Sequence, residues 1–333
     1  MSKKFVRISF VLFWVFMLTG TSFAEQTGPV PMGIVTGGPT GTYYQFGLNL
    51  EQLMAQNGIK LNVANSNGSV ENVYAVYKRP NTQMGIVQSD VLAFVAKVQT
   101  DPVLKNIAKK IKMIFPLYNE EVHLLGVSSI ADFDELEGKR VAIGQEGSGT
   151  FLTAKLLFEV SEVKPAEMMA IGADEALSEM KAGQIDALFY VAGYPVKLFS
   201  EQVSKEDNLR LIPIRNKSIT EFYPQVEIPA NTYAWQENPV ETVAVKAVLI
   251  SYDFKMANCY NVGKFAYILE NNITWLQENG HPKWNSVDLE YPLKGWEQYR
   301  CVKNFPGRSQ KIIQNKAKPT EINPILEAIK EIL

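Results

Sequence analysis

The chain has 333 residues, 46% of them hydrophobic and 20% charged, with a formal net charge of −2. That is enough apolar material for two domains with cores of their own, and the near-neutral balance without a Lys/Arg block argues against nucleic acid as a partner. Two cysteines and two histidines, far apart, offer no metal-ligand spacing, so neither a metal nor another cofactor is expected.

The first stretch, MSKKFVRISFVLFWVFMLTGTSFAEQ, sets Lys3, Lys4 and Arg7 ahead of an apolar run over residues 8–18, then small residues at Ser22 and Ala24. This predicts a secretory signal peptide over 1–24, since the run is too short to span a bilayer. The mature protein is expected in the periplasm. No cysteine lies near the cleavage point, so a lipoprotein is not expected.

Beyond the leader, strands and helices alternate, which is the pattern of α/β architecture. Residues 32–35 form a strand, and the following helix carries Phe46, Leu50, Leu53 and Met54 on one stripe before stopping at Asn57 and Gly58. A strand over 60–64 leads to a helix N-capped by Ser69, with Val70, Val73, Tyr74 and Tyr77 inward. Residues 84–87 repeat the motif MGIV of the first strand and run into Gln88, Ser89 and Asp90. A further strand spans 112–117.

From about Glu121 the alternation restarts. LEGKRVAIGQEGSGTFLTAKLLFEV reads as strand, glycine-rich turn and helix, and GADEALSEMKAGQIDALFYVAGYP as helix, turn, strand and loop. A strand over 211–214 precedes an extended, proline-rich stretch, and ETVAVKAVLISY is a long β-rich run that can return the chain to the first unit. The residues after Phe254 read as mostly helical. The expected fold is α/β and bilobal, with residues 28–120 and 241–333 forming lobe I and residues 121–240 inserted as lobe II. Two extended crossovers join them.

Ligands of α/β sheets bind beyond the carboxyl ends of the strands, where this chain has polar, glycine-rich loops at 36–44, 65–69, 88–90, 145–150 and 192–195. A helix start there presents unpaired N–H groups and a partial positive charge, so it attracts anions. Thr36, Gly37, Gly38, Thr40, Gly41 and Thr42 thus read as a carboxylate-sized anion site, matched by Ser148, Gly149 and Thr150 from the other lobe and joined by Asn67 and Ser69; the alternative for any one such loop is plain strand-to-helix packing. Tyr43 and Tyr44 either wall that site or pack inward. Gln88, Ser89 and Asp90 can accept from an ammonium group, or Asp90 caps the helix behind it; Asn72 reaches the cleft or supports the loop. Arg79, Arg140 and Lys155 are partners for a second carboxylate or solvated surface residues.

Enzyme motifs are missing. Neither glycine-rich loop has the lysine of a phosphate-binding P-loop or the dinucleotide fingerprint, and Glu146 and Thr150 replace the outer glycines of a nucleophile elbow. His123 and His281 read as structural. Cys259 and Cys301 either form a disulfide, as export allows, or remain two buried thiols.

Taken in order, the leader, GGPTGTYY, NSNGSVEN, MGIVQSD, VAIGQEGSGT, DALFYVAGYP and IPANTYAWQE resemble the TAXI family, the substrate-binding receptors of TRAP-type transporters. The likeness covers roughly residues 31–250 and fades after Phe254. It implies a type II periplasmic binding-protein fold and a monomeric receptor. Its ligand would be a small carboxylate, either glutamate- or glutamine-like or 2-oxoglutarate-like. Delivery would be to a TRAP membrane permease driven by an ion gradient. The same cleft would also suit a module feeding an ABC permease or a sensor kinase, with an exported enzyme as a more distant reading. The resemblance places Gly193, Tyr194 and Tyr233 beside the loops named above as ligand contacts.

Overall fold

Strands built from unbroken apolar runs are buried on both faces, and in β3 (Met84–Gln88) all five residues are buried. It belongs to the first half of a computed structural model that describes residues 31–91, 95, 102–293 and 295–308. The leader read in residues 1–24 lies outside the described residues. Around β3 stand β1 (Pro31–Val35), α1 (Thr42–Gln56), β2 (Lys60–Ala64), α2 (Ser69–Lys78) and α3 (Pro102–Ala108). β1 pairs in parallel with both β2 and β3.

Next comes β4 (Ile111–Val127), a strand of 17 residues. The second half then contributes β5 (Arg140–Ala142), α4 (Gly149–Ser161), β6 (Glu167–Met169), α5 (Ala173–Lys181), β7 (Ala187–Ala192), α6 (Lys197–Gln202), β8 (Leu209–Leu211), α7 (Lys217–Thr220) and β9 (Gln225–Ile228). β10 (Val240–Tyr252) returns to the first half, where α8 (Met256–Asn271), α9 (Ile273–Asn279) and α10 (Arg300–Lys303) follow. Among the described residues no helix is long and apolar enough to cross a membrane.

The strands follow one path, β2-β1-β3-β10-β4-β7-β5-β6, with β8 on β4 and β9 on β10. β4 and β10 are antiparallel partners shared by both halves. The start of β4 pairs with the end of β10, and residues 121–126 pair with β7. The expected strand at 112–117 therefore runs on to Val127, and its second half is as buried as its first although it carries Asn119, Glu120, Glu121 and His123. The strand expected at 211–214 ends earlier, at Leu211, and Gly68 rather than Ser69 caps α2. One core beneath α1 joins Phe46, Phe115, Phe265 and Trp284; a second, in the other half, joins Leu177, Leu188, Phe199 and Tyr233. Cys259 and Cys301 are disulfide-bonded, tying α8 to α10.

Where β4 crosses between halves, it carries charge into the interior. Glu121 faces the Lys283 ammonium at 2.6 and 2.7 Å, with both side chains almost completely buried. Burial raises the Glu121 pKa and lowers that of Lys283, and their mutual attraction opposes both shifts. The ammonium also lies 3.6 Å from the centre of the Tyr194 ring, a cation–π contact. Beside it, His123 Nδ1 donates to the Glu121 carbonyl at 3.0 Å while Nε2 accepts from the Tyr233 hydroxyl at 2.9 Å. Burial lowers the His123 pKa to about 3, so the ring stays neutral. His281 Nε2 reaches the Pro195 carbonyl at 3.0 Å. The two histidines thus hold the segment after β7, His281 through the Pro195 carbonyl and His123 through Tyr233, whose hydroxyl accepts from the Val196 N–H at 3.0 Å.

Lys283→Met should destabilise the protein by about 3–5 kcal/mol in urea unfolding, because the Glu121 charge loses its partner inside the protein. Lys283→Met with Glu121→Leu should recover most of that loss. Separately, a Cβ at Gly33 would stand 2.1 Å from the Asn81 carbonyl oxygen, a backbone atom; Gly33→Ala should cost about 1–3 kcal/mol in the same assay.

Candidate functional site

The loops after β1, β2 and β3 meet the loops after β5 and β7 around a cavity of about 70 Å³. That is far below the roughly 300–1,000 Å³ of drug-sized sites, so only a small metabolite suits it. From the first half come Gly37, Gly38, Gly41, Thr42 and Tyr43, then Asn67, Gly68 and Ser69, then Gln88. Ser148, Gly149, Thr150, Tyr190, Val191 and Ala192 line it from the second half, and Glu120 from β4 between them.

Helix starts dominate this lining. α1 begins at Thr42 behind the cap Gly41, α2 at Ser69 behind Gly68, and α4 at Gly149 behind Ser148. Neither α1 nor α4 has an acidic residue in its first turn to offset its N-terminal partial charge. Ser148 caps α4 by accepting from the Phe151 N–H at 3.0 Å. The Thr150 hydroxyl accepts from the Val191 N–H at 3.1 Å, which leaves its own proton to donate.

The two halves touch across the cavity. The Thr42 hydroxyl donates to the Gly193 carbonyl at 2.5 Å, and the Thr40 hydroxyl reaches the Asp174 carboxylate at 3.2 Å. Glycine sets how near they come. A Cβ on Gly149 would fall 1.7 Å from Gln88 Oε1, and one on Gly41 would fall 2.8 Å from the Tyr190 hydroxyl.

The cavity's electrostatics are lopsided. No lysine or arginine lines it, and Glu120 is the one carboxyl group in the lining. Tyr43 donates to Glu120 Oε2 at 2.6 Å. Burial pushes the Glu120 pKa well above the usual carboxylate range; Tyr43 opposes that shift, and the nearby Asp90 and Glu121 add to it. Gln88 Oε1 is buried without a hydrogen-bond partner among the described residues.

Several residues named from sequence stand outside this lining, each with partners that explain it. The Thr36 hydroxyl donates to the Ala64 carbonyl at 2.9 Å, and Ser89 accepts from the Lys246 N–H at 3.2 Å. Thr40 faces Asp174, while Gly193 accepts from Thr42. Tyr44 is only partly buried, and its neighbour Tyr43 supplies the aromatic wall. Tyr194 lies over Lys283, and the Tyr233 hydroxyl is held by His123 and the Val196 N–H. Asp90 sits within a helical turn rather than capping one, and its Oδ2 accepts from Thr153. Asn72 supports the loop: its amide donates to the carbonyls of Thr36 and Ile86, tying β1 to β3. Arg140 is bound to Asp186 at 2.8 Å, and neither Arg79 nor Lys155 lines the cavity.

Sequence reasoning missed Glu120, Tyr190 and Val191 as cavity residues. The pair Glu120-Glu121 inside the apolar run IFPLYNEEVHLLG was the available signal, since carboxylates in a buried strand need partners.

Solved structures with the same arrangement include one described as a periplasmic transporter, 16% identical with a TM-score of 0.51, covering 77% of this chain and 89% of that one. Another is periplasmic binding protein BugD, 10% identical with a TM-score of 0.53, covering 79% of this chain and 89% of that one. At such identities the likeness shows the fold, the bilobal type II fold of periplasmic binding proteins. A family model described as the NMT1-like family matches residues 34–295, and with most of its length so matched the chain belongs to the NMT1-like family.

Proposed function

We propose that this protein is an extracytoplasmic solute receptor whose lobes, residues 28–120 with 241–333 and residues 121–240, close on a small carboxylate. The observation that carries this reading is the convergence of three helix starts on one small cavity, from both halves. Their N–H groups, with the Thr150 hydroxyl, supply the donors that a carboxylate needs without a cationic side chain. With such a ligand bound, closed lobes would be favoured, because only that state makes both sets of contacts.

The rest of the ligand is read by acceptors. Glu120 and Gln88 Oε1, which has no hydrogen-bond partner among the described residues, suit an ammonium or amide N–H, whereas a second carboxylate would meet no lysine or arginine in the lining. An amino acid of the glutamate or glutamine kind therefore fits better than a 2-oxo dicarboxylate. Delivery to a TRAP-type permease is the part of the reading supported by the motif resemblance, and uptake by membranes carrying such a permease, dependent on both the receptor and an ion gradient, tests it.

A thermal-shift screen of the mature protein against amino acids and dicarboxylates should give the largest rise in Tm with an amino acid. In calorimetric titration with that ligand, Gly149→Val should weaken binding by at least about tenfold, since Gln88 then blocks approach of the lobes. Glu120→Gln should weaken it as well, because an amide cannot ionise against a bound ammonium as the carboxyl group can. Tyr44→Ala, outside the lining, should leave affinity unchanged. Full affinity in Gly149→Val would remove the cavity from consideration as the binding site.

A further inference from the structure

Asp90 lies outside the cavity lining, yet it is fully buried and bridges the halves. Its Oδ2 accepts from the hydroxyl of Thr153, on α4 of the second half, at 2.8 Å. Its Oδ1 makes no hydrogen bond among the described residues, and neither does the hydroxyl of Tyr223, just beyond α7. Tyr223 is near enough for the Asp90 charge to raise its pKa.

Among the described residues no lysine or arginine forms an ion pair with Asp90. From β4, Glu120 is near enough for the Asp90 charge to help raise its pKa, and from the second half Tyr223 faces Asp90 in the same way. Lys246 of β10 sends its ammonium over the Tyr291 ring, 3.9 Å from the centre, while Lys283 holds Glu121. Among the described residues an ionised Asp90 is thus stabilised by the Thr153 hydroxyl and the nearby N–H groups of Asp90 and Val91. Such a carboxylate is costly to keep from water.

We infer that Asp90 is a proton-operated latch: the halves close more readily when it is protonated, so closing the cleft takes up a proton. This goes beyond the receptor reading and rests on its lobes opening and closing, though not on the identity of the ligand. Burial pushes the Asp90 pKa up to about 6 from 3.8, with Thr153 pulling the other way. Above about pH 6 the closed form bears the full cost of a buried anion. The cost fades as pH falls through that value, and below 3.8 the open form is protonated too, so nothing more is gained. Acidification therefore favours closure, by roughly a hundredfold at most.

The test uses ligand-free protein carrying spin labels at Gln52→Cys on α1 and Glu159→Cys on α4, both exposed positions. Pulsed electron resonance then reads the distance between the halves. The ratio of closed to open molecules should rise about tenfold between pH 7.5 and pH 5. Asp90→Asn should abolish that slope. Thr153→Val, which removes a bond favouring the ionised form, should move the rise to higher pH and decides the matter should Asp90→Asn fail to fold. An undiminished slope in Asp90→Asn, or an unmoved midpoint in Thr153→Val, would overturn the latch alone. A single distance at every pH would instead defeat the opening and closing on which the receptor reading also depends.

Discussion

The pairing of β4 with β10 is the constraint from which the rest of the molecule follows. Both strands run through both halves, so any movement of one half against the other must pass through this ribbon. Its hydrogen bonds cannot be given up cheaply, but its register shifts between Lys246 and Val248 and between Leu249 and Ile250 are places where a strand bends. Glu120 and Glu121, opposite Val245 and Ala244, stand close to that bend. A small rotation there leaves the ribbon intact while changing the contacts beyond it, such as Thr42 with Gly193 and Asp90 with Thr153.

Three buried carboxylates beside this ribbon are compensated to different degrees. Glu121 has a full cation in Lys283, Glu120 has the Tyr43 hydroxyl, and Asp90 has the Thr153 hydroxyl. The ranking matches what each can do. Glu121 is a fixed structural charge, Glu120 faces the cavity with capacity left for a ligand, and Asp90 holds a bond that spans the halves. A local dielectric low enough to make such differences matter is also what strengthens the helix-start N–H groups opposite them.

Much of this was legible in the sequence, because periodicity and glycine placement are local signals. The strand–loop–helix units around Gly37–Thr42 and Gly147–Thr150 could be read from their own residues, and their loops do border one cavity. Partners far apart in sequence were not legible. Tyr233 looked like a ligand contact from its motif, but its hydroxyl is taken by His123, 110 residues away. Lys283 lies in GHPKWNS, where the family likeness fades, and only the folded chain shows its ammonium beside Glu121. The extension of β4 to Val127 was hidden for another reason: an apolar run does not reveal that its middle leaves one half for the other.

The disulfide joins positions 259 and 301, and Lys283 lies between them. The residue that neutralises Glu121 is therefore presented by a covalently closed ring packed on the first half. Closing a ring of that size restricts the unfolded chain, an effect of about 4 kcal/mol on a chain-entropy estimate. In an oxidising compartment the ring comes preassembled for its task at the pivot. Synthesised under reducing conditions, the same polypeptide would have to position its buried ammonium by side-chain contacts alone, which makes the redox history of a preparation part of its mechanical behaviour.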